Sequence, residues 1–454
     1  MVALLLSALS GTLLSAAFEP VGKWWVAPIA IAVHMYALSI STRKVLCSFI
    51  FGLTLNLIVL HWSSTFVGSI PWVILAIGLS LFYLPLALVS KWGITAYPLI
   101  YILLEEVRNR FPFGGFGWVR IAFTQADAPY AKVAAIGGAT ALSAAVVLIA
   151  LVIFLISQRK FSLLPLLPFL IVLVPVNTYV VDSTNVLMIQ GNVPRMGLDF
   201  NSRAKAVFNN HFERTQIEIA NNPNVDFILW PENSVDVDPF LNTDVKESLD
   251  LIKQPLIIGA IVNKENRLLN TSILWGGESP ETYIKQHLTP FGEYIPLRSL
   301  ARFVSPLVDE VEDFSPGDSG KIFEIGTIKV APVICYELID DALLERAAKN
   351  SNILAVQTNS ATFGMSAESA QQLSITRIRA IEHGRNIASV STTGYSAIIN
   401  SSGKILQQTS MGTADSIRAE VDLIEGQTPR DRAGDWALIG VFVALFVVAR
   451  RAYI

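Results

Sequence analysis

Three residues that could do chemistry lie at or near the ends of short apolar runs. Glu232 ends "FILWPE", Lys285 lies in "YIKQHLTPFGEYIP", and Cys335 ends "VAPVIC". A thiol attacks a carbonyl carbon as the thiolate, which a nearby ammonium and a base both favour. These residue types predict thiol-based acyl transfer, with Cys335 as nucleophile, Glu232 as base and Lys285 as the partner of thiolate and oxyanion. The backbone N–H of Tyr336, directly after the nucleophile, is a second candidate donor to the oxyanion.

Taken singly, each of these residues has an ordinary explanation. Cys335 is one of two cysteines in the chain, and an isolated cysteine in an apolar strand is usually a buried structural thiol. Glu232 could be a surface carboxylate, and Lys285 a solvated lysine. The chemical interpretation therefore depends on the three residues coming together in the fold.

Other chemistries have little support in this sequence. The five histidines lack the context of papain-like or caspase-like cysteine enzymes, and no GxSxG, HExxH or P-loop motif occurs. No metal-ligand cluster is visible, so we expect neither a metal nor an organic cofactor. The net charge is −3 and no basic stripe is present, so we expect no nucleic-acid partner.

The residues that must position this site lie in a mixed, water-soluble stretch from 182 to 432. Helical patterns near 203–221, 243–253 and 367–385 alternate with runs rich in β-branched residues, which predict a layered α/β domain. Runs such as "FILW" lack polar alternation, as expected of strands covered on both faces. The predicted strands are "NVLMIQGNV", "VDFILWPE", "PLIIGAIV", "TSILWGG", "ETYIKQH", "IKVAPVICYE" and "NILAVQTN".

The rest of the chain is typical of a multi-pass membrane domain. Hydrophobic residues make up 52% of the sequence and charged residues 16%. A spanning helix needs about 20 apolar residues. We therefore predict a transmembrane domain of about seven helices over 1–181 and a C-terminal transmembrane helix in 433–454. The candidate helices lie near 1–17, 24–40, 45–62, 70–90, 92–107, 133–156, 161–180 and 435–450.

Short basic loops predict the orientation of these helices. Arg43 with Lys44, Lys91, and Arg159 with Lys160 fall on one side, which the positive-inside rule makes cytoplasmic. Residues 182–432 then lie on the extracytoplasmic side. Three arginines in the loop "EEVRNRFPFGGFGWVRIAF" are exceptions to the rule, and we expect that loop to lie in the membrane interface.

The motifs carry a family resemblance. "WPE", "KQHLTPFGEYIP" and "CYE", in this order, resemble the Glu-Lys-Cys triad of the nitrilase (carbon-nitrogen hydrolase) superfamily, most closely its membrane branch, the apolipoprotein N-acyltransferases. The resemblance implies a nitrilase-like αββα domain with Glu232, Lys285 and Cys335 as the catalytic trio. It also implies supporting roles for Glu293 and Glu337.

The resemblance further implies a reaction. Cys335 takes an acyl chain from a membrane phospholipid as a thioester and passes it to the N-terminal amine of an S-diacylglyceryl-cysteine apolipoprotein. The enzyme would be a monomer in the bacterial plasma membrane. Two departures from the family pattern, Asp199 and the Ser360-Ala361-Thr362 stretch, bear on the shape of the substrate groove.

Two alternatives remain open on the sequence. A membrane-tethered amidase would use the same trio but pass the acyl group to water. A non-catalytic receptor with a nitrilase-like domain would need no intact trio.

A further segment, "PLRSLARFVSPLV", follows the lysine motif and places Leu297, Leu300 and Phe303 at helical spacing. Two interpretations of this segment are open: an amphipathic lid that dips into the membrane interface, and an ordinary helix packed on the domain.

Overall fold

The computed structural model describes residues 1–193, 205–277, 279–303, 306–309 and 311–451. Asp199 lies outside the described residues. The contacts divide the chain into two compact units, one of Met1–Asn177 with Thr428–Ile454 and one of Thr178–Gln427. These bounds lie four or five residues before those that the sequence predicted, because a strand already begins at Asn177 and the helix at Pro429 packs with the helical unit.

The α-helices are numbered in chain order over the described residues. They are α1 Val2–Ser15, α2 Val26–Ile40, α3 Lys44–Val59, α4 Ser69–Leu81, α5 Val89–Trp92, α6 Tyr97–Arg108, α7 Val133–Ser157, α8 Ala206–Asn221, α9 Thr243–Asp250, α10 Arg298–Ala301, α11 Asp341–Lys349, α12 Ala367–His383, α13 Pro429–Ala433 and α14 Trp436–Arg451. Short 3₁₀ helices cover His61–Ser64, Leu84–Leu88, Ile94–Ala96, Ile121–Thr124, Leu164–Leu173, Pro306–Asp309, Cys335–Ile339 and Ala361–Phe363.

The strands are numbered in the same way. They are β1 Asn177–Gln190, β2 Phe227–Leu229, β3 Leu256–Lys264, β4 Arg267–Trp275, β5 Glu281–Ile284, β6 Phe323–Ile325, β7 Ile328–Ile334, β8 Ile353–Thr358, β9 Ile387–Ser391, β10 Ala397–Ile399, β11 Ile405–Gln408 and β12 Asp415–Gln427.

The helical unit contains two stretches that are long and apolar enough to cross a membrane. Within the described residues these are Ser69–Trp92 and Val133–Ser157, while four further apolar helices have 10 to 17 residues. The first stretch is interrupted near Pro85, because proline lacks the N–H that a continuous helix needs. Near the predicted membrane helix at 92–107 the structure has the shorter helix α6, of 12 residues.

The predicted helix near 161–180 is wrong as a continuous span. A 3₁₀ helix covers Leu164–Leu173, and the chain is already extended at Asn177. Pro165, Pro168 and Pro175 explain the difference, since each removes a backbone donor and restricts the residue before it. Apolar composition alone did not reveal these interruptions.

Two of the three arginines of the predicted interface loop lie inside the helical unit. Arg120 is fully buried and donates hydrogen bonds to Glu106 Oε1 at 2.7 Å and to Thr140 Oγ1 at 3.0 Å. Arg108 is equally buried and donates to the Tyr83 hydroxyl at 2.8 Å. These arginines are exceptions to the basic-loop pattern because they are paired within the fold.

The second unit contains two six-stranded sheets of mixed direction. The strand orders are β12-β1-β2-β3-β4-β5 and β11-β10-β9-β8-β7-β6. In the first sheet β1, β2 and β3 run parallel, and in the second β7, β8 and β9 run parallel. The carboxyl ends of these parallel strands are the usual place for functional loops in such sheets.

The two sheets pack face to face between layers of helices. Along β2, Phe227 and Leu229 point into the core between the sheets, whereas Ile228 and Trp230 point into the core beneath α8 and α9. Helices α11 and α12 cover the outer face of the second sheet. The unit is thus layered helix, sheet, sheet, helix, and the expectation that strands such as "FILW" are covered on both faces is confirmed.

Candidate active site

The Lys285 ammonium is the centre of a buried charge cluster. Lys285 follows the last residue of β5 and is 1% exposed. Its Nζ lies 2.8 Å from Glu293 Oε2 and 3.3 Å from Glu232 Oε1. One cation is therefore shared between two carboxylates, and a buried lysine needs such partners to stay charged.

An asparagine from β4 fixes the two carboxylates relative to each other. Asn270 Nδ2 donates to Glu232 Oε1 at 2.8 Å and to Glu293 Oε1 at 2.6 Å. Both partners only accept hydrogen bonds when ionised, so the amide nitrogen must be the atom that faces them. Glu293 also accepts a hydrogen bond from the Thr289 N–H at 2.7 Å, and this bond holds together the two ends of the loop between these residues. The sequence reasoning missed Asn270, because its predicted strand began one residue later.

Cys335 lies at a sharp turn directly after β7. Its backbone has φ of +51°, in the left-handed region that residues other than glycine seldom adopt. The next residue, Tyr336, belongs to the first turn of the 3₁₀ helix Cys335–Ile339, where backbone N–H groups point out of the helix end. The turn presents the half-buried thiol. It also presents the N–H groups of the first turn of the 3₁₀ helix, which are suited to binding an oxyanion.

Glu337 holds this turn against β5. Its Oε2 accepts from the Ile334 N–H at 2.7 Å, and its Oε1 accepts from the Tyr283 hydroxyl and the Gln286 N–H, both at 2.7 Å. Glu337 is fully buried. This carboxylate thus ties the strand that precedes Cys335 to the segment that follows Lys285.

The groups around the Cys335 thiol have opposing effects on its pKa. The Glu232 side chain hydrogen-bonds to Cys335. Burial and the Glu232 charge raise the pKa of the Cys335 thiol well above its ordinary value, and the Lys285 ammonium only partly offsets them. The resting residue is therefore a neutral thiol with a carboxyl in position to take its proton.

The two carboxylates beside Lys285 differ in their acidity. Burial raises the pKa of Glu232, and the attraction of Lys285 does not fully counter it. Burial acts on Glu293 in the same direction, but the Lys285 charge and hydrogen bonds outweigh it, so the pKa of Glu293 is lowered. Glu293 is thus the permanent counter-ion, and Glu232 is the carboxyl suited to exchanging protons.

Helix α12 contributes side chains that sequence reasoning did not assign to the site. Gln372 Nε2 donates to Cys335 Sγ at 3.5 Å. Glu368, one turn earlier, is 2% exposed and hydrogen-bonds to Ser360, one of the residues that depart from the family pattern. The spacing of Glu368 and Gln372 was the available signal, because residues four apart share a helix face.

The described ranges contain no group of three or more histidine, cysteine, aspartate or glutamate side chains that could hold a metal ion.

Comparison with known proteins identifies the family. Residues 10–152 match the apolipoprotein N-acyltransferase N-terminal domain, and residues 244–430 match the carbon-nitrogen hydrolase domain. The apolipoprotein N-acyltransferase of Mycolicibacterium smegmatis is 30% identical over 479 residues, which cover 93% of this chain and 80% of that protein. The chain belongs to the apolipoprotein N-acyltransferase family. The apolipoprotein N-acyltransferase of Photobacterium profundum is 29% identical and covers 96% of this chain and 92% of its own length.

Some solved structures are similar to part of this family member. A member of branch 10 of the nitrilase superfamily from Saccharomyces cerevisiae gives a TM-score of 0.40 at 17% identity, over 54% of this chain and 91% of its own. An amidase of Nesterenkonia AN1 from the nitrilase superfamily gives 0.42 at 14% identity, over 56% and 96%. The family matches confirm the predicted resemblance and the nitrilase-like α/β class of the second unit.

Proposed function

We propose that this chain is a bacterial apolipoprotein N-acyltransferase that carries the acyl chain on Cys335 as a thioester. Membership of the family supports the overall activity. The observation that supports the site is the cluster in which Lys285 Nζ lies within 3.3 Å of Glu232 and 2.8 Å of Glu293, beside a thiol that hydrogen-bonds to Glu232. A nucleophile, its base and an oxyanion partner are the parts that acyl transfer needs.

In the first half-reaction the acyl donor is a membrane phospholipid. Glu232 takes the thiol proton as Cys335 Sγ attacks the ester carbonyl carbon. The oxyanion accepts hydrogen bonds from the Lys285 ammonium and the Tyr336 N–H. The intermediate then collapses, the C–O bond breaks, and Glu232 returns the proton to the departing lysophospholipid oxygen.

In the second half-reaction the acceptor is the N-terminal amine of an S-diacylglyceryl-cysteine. The neutral amine attacks the thioester carbonyl, and the same donors stabilise the oxyanion. The C–S bond breaks as the C–N bond becomes an amide. Glu232 moves one proton from the nitrogen to the leaving Cys335 sulfur, which restores the resting thiol.

The helical unit would place this chemistry beside its substrates. Donor and acceptor are both residents of the bilayer, and the apolar stretches Ser69–Trp92 and Val133–Ser157 suit a membrane. We propose that the helical unit is the membrane domain in the bacterial plasma membrane and that the α/β unit lies on the extracytoplasmic side. The distribution of basic residues over the short loops supports this orientation.

The test is the intact mass of the purified protein after incubation with phospholipid vesicles. We expect an acyl adduct that neutral hydroxylamine removes. Cys335→Ser should lack the adduct, and Cys47→Ser should keep it, because Cys47 is the second cysteine and is buried in α3 of the other unit.

The fate of the adduct separates the candidate reactions. Rapid discharge by a diacylglyceryl-cysteine peptide and slow discharge by water are the results expected of the acyltransferase. Rapid discharge by water would instead identify an amidase-like hydrolase. The absence of an adduct, together with no labelling of Cys335 by a mild thiol reagent, would overturn the catalytic proposal.

A further inference from the structure

A second acidic side chain faces the candidate nucleophile from α12. Glu368 lies in the first turn of this helix, and Gln372, four residues later, donates to Cys335 Sγ at 3.5 Å. Residues four apart lie on the same face of a helix. Glu368 is 2% exposed, so its carboxyl is directed into the protein rather than towards solvent, and its charge acts on the Cys335 thiol.

The Glu368 carboxyl is only half satisfied. One hydrogen bond joins it to Ser360, whereas its Oε2 is buried and has no hydrogen-bond partner among the described residues. Among the ionisable groups here, the charge of Glu232, from the loop after β2, acts on Glu368. The charged groups that act on the Cys335 thiol are Glu232, Glu368, Lys285 and Glu293. Burial, reinforced by the charge of Glu232, raises the pKa of Glu368 to about 8. A buried acceptor atom without a partner is costly to maintain, which points to a ligand that supplies a donor.

The proton balance of the proposed reaction leaves a role for such a group. The α-amine of the acceptor has a pKa of about 7.7–8.0, so it is mostly an ammonium ion at neutral pH. An ammonium must lose one proton before it can attack and a second as the amide forms. Glu232 recycles only the second proton, because it passes that proton to the Cys335 sulfur. The first proton goes either to solvent or to another acceptor in the site.

We propose that Glu368 is the base that receives this first proton and thereby selects an amine as the acyl acceptor, an inference that rests on the proposed N-acyl transfer. The acceptor ammonium donates a hydrogen bond to Oε2 and transfers a proton to it. The neutral amine then attacks the thioester carbonyl, the C–N bond forms, and the C–S bond breaks. Glu368 releases its proton to solvent when the amide product leaves.

The approach of the acceptor cation prepares the Glu368 carboxyl for this transfer. Before the acceptor binds, burial raises the pKa of this carboxyl to about 8, so it is mostly protonated at neutral pH. The cation lowers that pKa, because an opposite charge favours the ionised form, and the ionised carboxylate then receives the proton. The first half-reaction has no surplus proton, since the thiol proton leaves on the lysophospholipid. Glu368 therefore acts on the amine step.

The experiment measures the discharge of a preformed thioester from pH 6 to 9. The wild-type protein, Glu368→Gln and the exposed control Glu265→Gln are loaded from vesicles of phosphatidylethanolamine and phosphatidylglycerol. Each is then mixed with a saturating diacylglyceryl-cysteine peptide or with hydroxylamine, which is a much weaker base than the peptide amine and is neutral over most of this range. Intact mass gives the rate of adduct loss.

We expect the rate at which E368Q discharges to the peptide to be proportional to the fraction of the amine that is neutral. Because each pH unit below the amine pKa leaves about a tenth as much of the amine neutral, the rate of E368Q with the peptide should fall about tenfold per pH unit, whereas the wild-type rate should fall only below the lowered pKa of the cation-bound Glu368 carboxyl. The two rates should converge near pH 9. Discharge to hydroxylamine should be equal in all three proteins.

Two results would overturn the proposal. One is the same pH profile for E368Q and wild type with the peptide. The other is an equal loss of rate with peptide and hydroxylamine, which would make Glu368 a structural residue. If E368Q does not fold, the wild-type profile decides: a midpoint at the amine pKa refutes the proposal, and a midpoint about one unit lower or more supports it. A wild-type protein that forms no adduct would instead refute the acyltransferase itself.

Discussion

Removing the asparagine that joins the two carboxylates should shift the pH dependence of thioester formation. Asn270 Nδ2 donates to Glu232 at 2.8 Å and to Glu293 at 2.6 Å. A hydrogen bond to a charged group contributes about 1.5–3 kcal/mol, and one pKa unit corresponds to about 1.36 kcal/mol. The bond favours the ionised carboxylate, so its loss in Asn270→Ala should raise the pKa of Glu232 by about 1–2 units above its already raised value.

The assay is the single-turnover rate of thioester formation between pH 5 and 9. Glu232 acts in its ionised form, so the rate falls as the pH drops through its pKa, and this acid limb should move to higher pH in Asn270→Ala. Asn263→Ala, at an exposed position on the neighbouring strand β3, is the matched control and should leave the limb in place. If Asn270→Ala folds, as judged by thermal unfolding, and its acid limb coincides with that of wild type, the assignment of Glu232 as the base is refuted.

Three further perturbations test the positions of the other groups. Glu337→Gln places an amide where the carboxylate accepts three hydrogen bonds. We therefore expect the free energy of unfolding to fall by about 1–3 kcal/mol, and an unchanged melting temperature would contradict this. Lys285→Met leaves two buried carboxylates without their cation, which should cost about 3–5 kcal/mol in chemical denaturation and abolish the thioester; a variant of wild-type stability that still loads would refute the shared-cation arrangement. Leu300→Glu with Phe303→Glu charges the exposed tip of the predicted lid segment and should slow loading from vesicles but not from a water-soluble short-chain ester, whereas equal rates from vesicles would exclude the lid.

The positions of the candidate catalytic trio could be predicted because each member follows a strand. Glu232 comes after β2, Lys285 after β5 and Cys335 after β7, and such positions are readable as the point where an apolar run stops. Strands β6 and β9 to β12 were not predicted. Four of these, β6, β9, β10 and β11, have five residues or fewer, and β11 is largely exposed, so neither length nor apolar character distinguishes them.

The supporting residues were harder to assign because their roles depend on contacts across distant segments. Asn270 is a polar residue in the middle of a strand, and its two acceptors lie 38 residues before it and 23 residues after it in the chain. The Glu368 side chain hydrogen-bonds to Ser360, which lies in the loop before α12. Ser360 is one of the positions where the sequence departs from the family pattern, so that pattern gives no guide to this contact. Hydrophobic periodicity reports which face of an element is buried, but it does not report which polar side chains meet there.

The charge balance of the site suits the proposed role of a lone thiol as an acyl carrier. Two carboxylates share the single Lys285 cation, so little positive charge remains to stabilise a resting thiolate, and burial raises the pKa of Cys335 further. In the proposed reaction, the reactive thiolate then forms only as Glu232 withdraws the proton during attack. Because oxidation of cysteine follows its thiolate character, a neutral resting thiol is also the less vulnerable form. The same arrangement favours completion of the proposed cycle, in which Glu232 returns a proton to the sulfur as the amide forms and thereby removes the nucleophile that would reverse the step.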